Sequence, residues 1–305
     1  AVEKQGQELL ASLRPDDKVL VLITRNYGLS DPVLNMGIPR LLLERGHKVI
    51  TLSHLPAHDL DLSEDYPNLY WPFGQHILSG AKLVAHHPNL YAVYLTNHGC
   101  GPDTMLSYLF RKEMGDKPYL QIEVDEHFSP VGVITRIEAF LQSLEGRPAQ
   151  PLPAGFSLAT VAHRPTAVAT VPERTGGPLL VPDLPPFTAY LRAYCEAAWK
   201  MVTRTLRLDS TTLPLGRAET SSKEYLPFPA LLGGVLTAAE AESGPFQVLL
   251  PSTQGAEADG QYPWGVETVL ERQGLCRVKV IAPELETLPE RCPEPDLLFR
   301  AFLVG

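Results

Sequence analysis

Short apolar runs alternate with helix-forming segments, and this alternation constrains the fold of the chain more than any other feature. The run at 18–24 is rich in aliphatic residues and bounded by polar ones, which predicts a buried strand. Three more strands are predicted over 48–52, 91–96 and 119–124. Helices are predicted over about 31–44, 74–86, 102–113 and 131–144. Strands that alternate with helices indicate the α/β class with a doubly wound parallel sheet.

The second half of the chain repeats this pattern after a change in composition. Nine prolines fall within residues 146–186, which predicts a domain linker with extended segments over 148–186. An N-terminal α/β domain at 1–147 and a smaller α/β domain at 187–305 are then expected on either side. In the second domain, helices are predicted over about 189–205, 229–241 and 263–273, and strands over 246–250 and 278–281. We expect two doubly wound, Rossmann- or flavodoxin-like domains with a cleft between them.

Charge, hydropathy and cysteine content indicate which partners and which cellular compartment to expect. The net charge is −9, so no basic face is indicated and nucleic acid is not an expected partner. No apolar run reaches the roughly 18 residues of a membrane helix, so no membrane partner is expected. The four cysteines form no C-x-x-C pair, and a chain of 305 residues does not need disulfides. A cytoplasmic location is therefore predicted.

The segments that follow the predicted strands hold the residues capable of chemistry. In doubly wound sheets, ligands bind at the carboxyl ends of the strands. Those ends carry Arg25-Asn26-Tyr27, His98-Gly99-Cys100-Gly101 and Asp125-Glu126-His127.

Cys100 is the strongest single candidate for a functional residue. It follows a predicted strand, precedes a predicted helix and lies between Gly99 and Gly101, which permit tight backbone geometry. A helix N-terminus lowers the pKa of a thiol and stabilises a thiolate–metal bond. Cys100 is thus predicted to be a metal or cluster ligand or a nucleophile, and the alternative is a small buried cysteine at a tight turn.

The two carboxylates and the imidazole of Asp125-Glu126-His127 are suited to general acid–base work or substrate orientation. The alternative is helix capping in a solvated loop. The chain has no G-x-G-x-x-G, G-x-x-x-x-G-K-[ST] or G-x-S-x-G motif, so neither a P-loop ATPase nor a nucleophile-elbow hydrolase is supported.

Two longer blocks in the first half are 94–103, which reads YLTNHGCGPD, and 123–127, which reads EVDEH. These blocks closely resemble a known family, the 2-hydroxyacyl-CoA dehydratase and acyl-CoA dehydratase activase-related proteins, and the resemblance covers most of residues 17–145. Other blocks in this half are 19–40, 68–76 and 132–140. The second half is similar more weakly but in the same order, at 215–217, 220–224, 232–234 and 260–262.

The resemblance implies a cofactor and partners. Such proteins hold a [4Fe-4S] cluster between α/β domains, for which thiolates are the expected ligands. An ATP-dependent activase supplies a low-potential electron, and the acyl-CoA is reduced to a ketyl radical that expels its hydroxyl group. An activase or a cluster-bearing dehydratase subunit is thus an implied partner, in a homo- or hetero-oligomer. Long family members carry a nucleotide-binding module upstream, so the chain is expected to be a stand-alone relative or a fragment.

The chain departs from the family at the cluster ligands. Tyr225 stands where the family usually has a cysteine, and Ala256-Glu257-Ala258 replaces the usual Pro-Cys-Arg. Only Cys100 of the three expected ligands remains, and Glu257 offers a hard oxygen that suits iron–sulfur sites poorly. One thiolate does not normally hold four irons.

Three functions stay open at this point. The favoured one is a cluster-deficient partner protein or a binder of an acyl-CoA-like ligand. The second is an active [4Fe-4S] component, of the lyase type, whose cluster another chain completes. The third is a metal-free enzyme that uses Cys100 with Asp125, Glu126 and His127. The cleft of this protein is predicted to be lined by Arg25, Asn26, Tyr27, His98, Gly99, Gly101, Arg217, Lys223, Glu224 and Gln261.

Overall fold

A computed structural model describes residues 1–97, 100–125, 129–147, 168–174, 176–221, 223–253 and 255–284. These residues form two compact units. The first contains residues 1–64 and 71–147, and the second contains residues 65–70 and 168–284. Each unit is built on a four-stranded parallel sheet with alternating helices, which confirms the predicted α/β class with two doubly wound domains.

The elements are numbered in chain order. The strands are β1 Val19–Ile23, β2 Lys48–Thr51, β3 Leu90–Asn97, β4 Leu120–Val124, β5 Leu179–Pro182, β6 Thr203–Leu206, β7 Phe246–Leu249 and β8 Val278–Ile281. The helices are α1 Val2–Ala11, α2 Asn26–Ser30, α3 Ile38–Glu44, α4 Pro72–His86, α5 Gly101–Met114, α6 Pro130–Glu145, α7 Phe187–Ala198, α8 Leu213–Glu219, α9 Pro227–Ala241 and α10 Tyr262–Arg272. No helix in the described ranges is long and apolar enough to cross a bilayer.

The first sheet has the strand order β2-β1-β3-β4, with all neighbours parallel. β1 lies inside the sheet, and its five aliphatic residues are all buried, as expected for a strand covered on both faces. The core on one side of this sheet contains Leu20, Val93, Ile122 and Ile137. This packing brings the carboxyl ends of β1, β3 and β4 to one edge.

The predicted helix at 31–44 is shorter than expected. The Asp31 carboxylate accepts the backbone N–H groups of Val33 and Leu34 at 2.8 and 3.1 Å, which forms a turn. Met36 and Gly37 then adopt positive φ angles of 57° and 65°. Because a left-handed residue interrupts a right-handed helix, α3 begins only at Ile38.

The second sheet has the corresponding order, β6-β5-β7-β8, and is also parallel. β5 lies inside it, with all four residues buried. β5 belongs to the Pro-rich stretch for which a linker with extended segments was predicted, so the second sheet begins before residue 187.

The helix predicted over 189–205 is wrong in its last seven residues. α7 ends at Ala198, and β6 starts at Thr203 and pairs with β5. The Thr-Arg-Thr-Leu sequence of β6 carries two β-branched residues, which favour a strand once a partner strand is available. The strand was not predicted because the apolar pattern of α7 was extended through it.

Helices α8 and α9 pack together at very short range. A Cβ atom on Gly216 would lie 1.8 Å from the carbonyl oxygen of Pro229, and one on Gly233 would lie 2.2 Å from that of Thr212. Only glycine permits this approach of two backbones. α8 itself was not predicted from the sequence.

A short segment from the first half of the chain, residues 65–70, belongs to the second unit. The Asn68 side-chain amide donates to Ser252 Oγ at 3.1 Å, and that of Gln261 donates to the Pro67 carbonyl at 3.1 Å. Ser252 and Gln261 are buried, so these bonds anchor the segment from inside the second unit.

Candidate functional site

The carboxyl edge of the first sheet holds a compact polar cluster. After β1, the chain forms β2 next to one edge of β1 and then crosses over to form β3 next to the other edge of β1. Such a switch point leaves a crevice between the ends of β1 and β3, where ligands bind in open α/β sheets. Arg25 follows the end of β1, and Cys100 follows β3 and is the N-cap residue of α5.

Arg25 joins the two sides of this crevice. Its Nη2 donates to Cys100 Sγ at 2.9 Å and to Asp103 Oδ2 at 2.9 Å. The guanidinium carbon lies 4.3 Å from the ring centre of Phe73, a cation–π contact from α4. The Arg25 side chain is 21% exposed and that of Asp103 is 3% exposed. The ion pair is therefore mostly desolvated, with one open side on the arginine.

Cys100 is held as a thiol. Its Sγ accepts from Arg25 and donates to Asp103 Oδ2 at 3.3 Å, which requires a proton on the sulfur. Burial raises the pKa of the Cys100 thiol, the backbone N–H of Asp103 and the charge of Arg25 lower it, and the Asp103 carboxylate raises it. The backbone at the start of α5 thus acts in the expected direction, but burial and the carboxylate outweigh it.

Helix α2 places Tyr27 beside this cluster. Tyr27 is 42% exposed, and partial burial raises the pKa of its phenol while Arg25 opposes that effect. The helix is held close to the strand end at Gly28, where a Cβ atom would lie 2.8 Å from Thr24 Cγ2. Asn26, the first residue of α2, is exposed. Of the three residues predicted after β1, Arg25 makes the contacts with Cys100.

The structure describes only some of the remaining residues predicted in the first unit. Gly101 is the first residue of α5, and Asp125 directly follows β4 at the same edge of the sheet. Four predicted residues lie outside the described residues, namely His98, Gly99, Glu126 and His127. The joint use of Cys100 with Asp125 and His127 therefore stays a prediction.

Four of the residues predicted to line the cleft lie in the second unit. Arg217 and Glu224 line one cavity, near the end of α8 and the start of α9. Lys223 is partly buried, and Gln261 is 1% exposed and holds residues 65–70 as described above. The predicted facing of these residues with those of the first unit stays a prediction.

Tyr225 and Glu257, the two positions where the resemblance predicts cysteine ligands, lie near the same side chain. The pKa of Tyr262 is raised to about 12, first by burial and then by the charges of Asp259, Tyr225 and Glu257. Tyr225 is 45% exposed, and Glu257 is exposed and precedes a short 3-10 turn. The second unit thus brings phenol and carboxylate groups together at these positions.

The donor set of the first unit does not fit a [4Fe-4S] cluster. Cys100 is the only cysteine in residues 1–147. A guanidinium contacts its sulfur directly, so a cation occupies space that a cluster iron would need. Among the described residues, no three His, Cys, Asp or Glu side chains are grouped as metal ligands. Cys195 is buried in the second core, and Cys276 is exposed.

Sequence reasoning missed two members of this cluster. Asp103 lies in the block 94–103 but is not among the predicted site residues, although an acidic residue three positions after the N-cap is a recognisable sign of a helix start. Phe73 has no such signal, since its contact with Arg25 depends on how α4 packs.

The fold and this edge define an α/β protein with a candidate site at the switch point of its first sheet. The first 55 residues match a family model described as the CoA enzyme activase uncharacterised domain (DUF2229). The match covers α1, β1, α2, α3 and β2, and it includes Arg25 and Tyr27. Comparisons with curated proteins and with solved structures gave no match. The N-terminal part of the chain is thus related to this CoA enzyme activase domain.

Proposed function

We propose that the chain is a cluster-deficient relative of the activase-related proteins, which binds an acyl-CoA-like ligand at the carboxyl edge of its first sheet. It would act in the cytoplasm beside a cluster-bearing dehydratase subunit or an ATP-dependent activase. The observation that carries the proposal is the state of Cys100, whose thiol contacts Arg25 at 2.9 Å and Asp103 at 3.3 Å. A sulfur used in this way is a fixed part of a binding site and not a free thiolate ligand.

The same contacts suggest how an acyl ligand would be held. The partly exposed guanidinium of Arg25 can donate to a thioester carbonyl or to an acyl carboxylate. Asp103 fixes the guanidinium from its buried side, and Phe73 packs against its face. The exposed phenol of Tyr27 adds a further donor at this edge. These groups bind and orient a ligand without a redox step by the chain itself.

Iron and sulfide analysis tests the absence of a cluster. The protein would be purified anaerobically, together with the Cys100→Ser variant and a matched Cys276→Ser control. We expect little iron and acid-labile sulfide in all three. Stoichiometric iron and sulfide in the wild type, lost in Cys100→Ser and kept in Cys276→Ser, would overturn the proposal in favour of a cluster. If that cluster appears only in an oligomer, another chain supplies the missing ligands.

Calorimetric titration with butyryl-CoA tests ligand binding. We expect binding that weakens about tenfold or more in Arg25→Gln, because a charge-assisted hydrogen bond is lost. Arg40→Gln is the control, since Arg40 is exposed and, within the described residues, pairs only with Glu44 in its own helix. Equal affinity in the two variants would remove the ligand site from this edge, whatever the iron analysis gives. Turnover of the acyl-CoA, abolished in Cys100→Ala, would instead favour the metal-free enzyme.

A further inference from the structure

The second unit contains a cavity of about 410 Å³ where α8 ends and α9 begins. It is lined by Arg217, Thr220, Ser221, Glu224, Leu226 and Pro229. The close backbone approach of α8 and α9 at Gly216 and Gly233 fixes the two helices that carry Arg217 and Pro229. The other four lining residues lie in the connection between these helices.

Glu224 brings a negative charge to this cavity without a compensating cation. The residue is 9% exposed, and its carboxylate accepts from the Ser221 backbone N–H at 3.1 Å and from Ser221 Oγ at 2.8 Å. No ion pair to Glu224 is formed in the described part of the chain. A buried carboxylate without a cation is costly, and a positively charged ligand group would offset that cost.

Arg217 supplies the opposite charge in the lining of this cavity. It lies in the last turn of α8, is exposed, and its side chain has no hydrogen-bond or ion-pair partner within the described ranges. The hydroxyls of Thr220 and Ser221 donate to protein acceptors, the Gly216 carbonyl and Glu224. The groups left to recognise a ligand are thus one cation and one carboxylate, next to apolar surface from Leu226 and Pro229.

We propose that this cavity binds a small zwitterion of the α-amino acid class with an apolar side chain. The ligand carboxylate pairs with Arg217, its ammonium group donates to Glu224, and its side chain packs on Leu226 and Pro229. A hydroxyl in place of the ammonium group would leave the Glu224 charge uncompensated, so the site favours the amine. This site lies in the second unit and does not depend on the function proposed for the first.

Ligand-observed NMR on the full chain tests the proposal with L-leucine as the probe. N-acetyl-L-leucine, L-leucine methyl ester and the isosteric 2-hydroxy acid are compared with it. We expect saturable binding of L-leucine, with each of the other three at least about tenfold weaker. Equal or tighter binding of the 2-hydroxy acid or the N-acetyl compound would overturn the role given to Glu224. Absence of saturable leucine binding up to about 10 mM would overturn the site itself.

Two variants assign the binding to this cavity. Arg217 is exposed, so Arg217→Gln removes no folding contact. Glu224→Gln keeps one of the two acceptor oxygens that Ser221 uses, and urea unfolding checks that this variant keeps its fold. Each should weaken L-leucine binding about tenfold or more. The controls are Arg174→Gln and Glu240→Gln, which change exposed residues outside the cavity lining. Unchanged leucine binding in both test variants would refute the proposal.

Discussion

Replacing Asp103 with asparagine is expected to make the Cys100 thiol more reactive. The Asp103 carboxylate lies 3.3 Å from Cys100 Sγ and accepts a hydrogen bond from the thiol. Its negative charge opposes formation of the thiolate, while Arg25 favours it. The substitution Asp103→Asn removes that negative charge and leaves the arginine in contact with the sulfur. The pKa of Cys100 should therefore fall.

The size of the effect follows from the distance. Two unit charges 3.3 Å apart interact by about 5 kcal/mol at an effective dielectric constant of about 20 and by about 1 kcal/mol in water. Cys100 is partly exposed, so a value of about 2 kcal/mol between these limits is appropriate. Since about 1.4 kcal/mol corresponds to a factor of ten, we expect alkylation at neutral pH to become at least about tenfold faster.

The assay is the rate of alkylation by iodoacetamide between about pH 6 and 9, resolved by peptide mass spectrometry. The exposed Cys276 serves as an internal reference in each sample. Asp116→Asn is the matched control, because Asp116 is an exposed residue just beyond the end of α5. Circular dichroism checks that the fold is kept. An unchanged or slower reaction at Cys100 would refute the reasoning and would mean that burial alone sets its reactivity.

Three further predictions concern stability, each measured by urea unfolding. Gly216→Ala should cost about 2 kcal/mol or more, because its Cβ atom would meet the Pro229 carbonyl, whereas Gly244→Ala should cost little because no atom lies within 4 Å of the added group. Burial raises the pKa of Glu267 to about 7, so the native state takes up a proton that the unfolded state releases near pH 4.5. The stability contributed by this group is thus complete at low pH and is lost as the pH rises from about 4.5 to about 7. Glu267→Gln should therefore be more stable than the wild type at pH 8 but not at pH 4, and an equal difference at both values would contradict this. Lys117→Met should cost about 1–3 kcal/mol, since the partly buried ammonium donates to two carbonyls near the end of α4, and no loss would show that water replaces it.

Much of the fold could be predicted because the strands of a doubly wound sheet are local signals. The buried run Val19–Ile23 and the helix start at Gly101 are both read from a few adjacent residues. The prediction failed where local signals conflicted. At 31–38, a turn at Asp31 and two residues with left-handed backbone shift the start of α3 to Ile38. At 203–206, a short strand follows an apolar helix, and no turn residues mark the boundary between them.

The candidate site could be predicted only as a set of strand ends. The alternation of strands and helices was sufficient to expect Arg25 and Cys100 near one edge of a parallel sheet. Their contact, however, joins residues 75 positions apart in the chain and depends on the order of the strands. The raised pKa of the thiol also required the position of Asp103 and the degree of burial, which no local pattern contains.

The sequence by itself determined the alternating elements, the single thiol of the first unit and the absence of cysteines at positions 225 and 257. The tertiary structure decided that the sulfur contacts a guanidinium and a carboxylate, that residues 65–70 belong to the second unit, and that Arg217 and Glu224 share a cavity. The physical reason is that secondary structure follows from neighbouring residues, whereas burial and charge contact arise only when distant segments pack together.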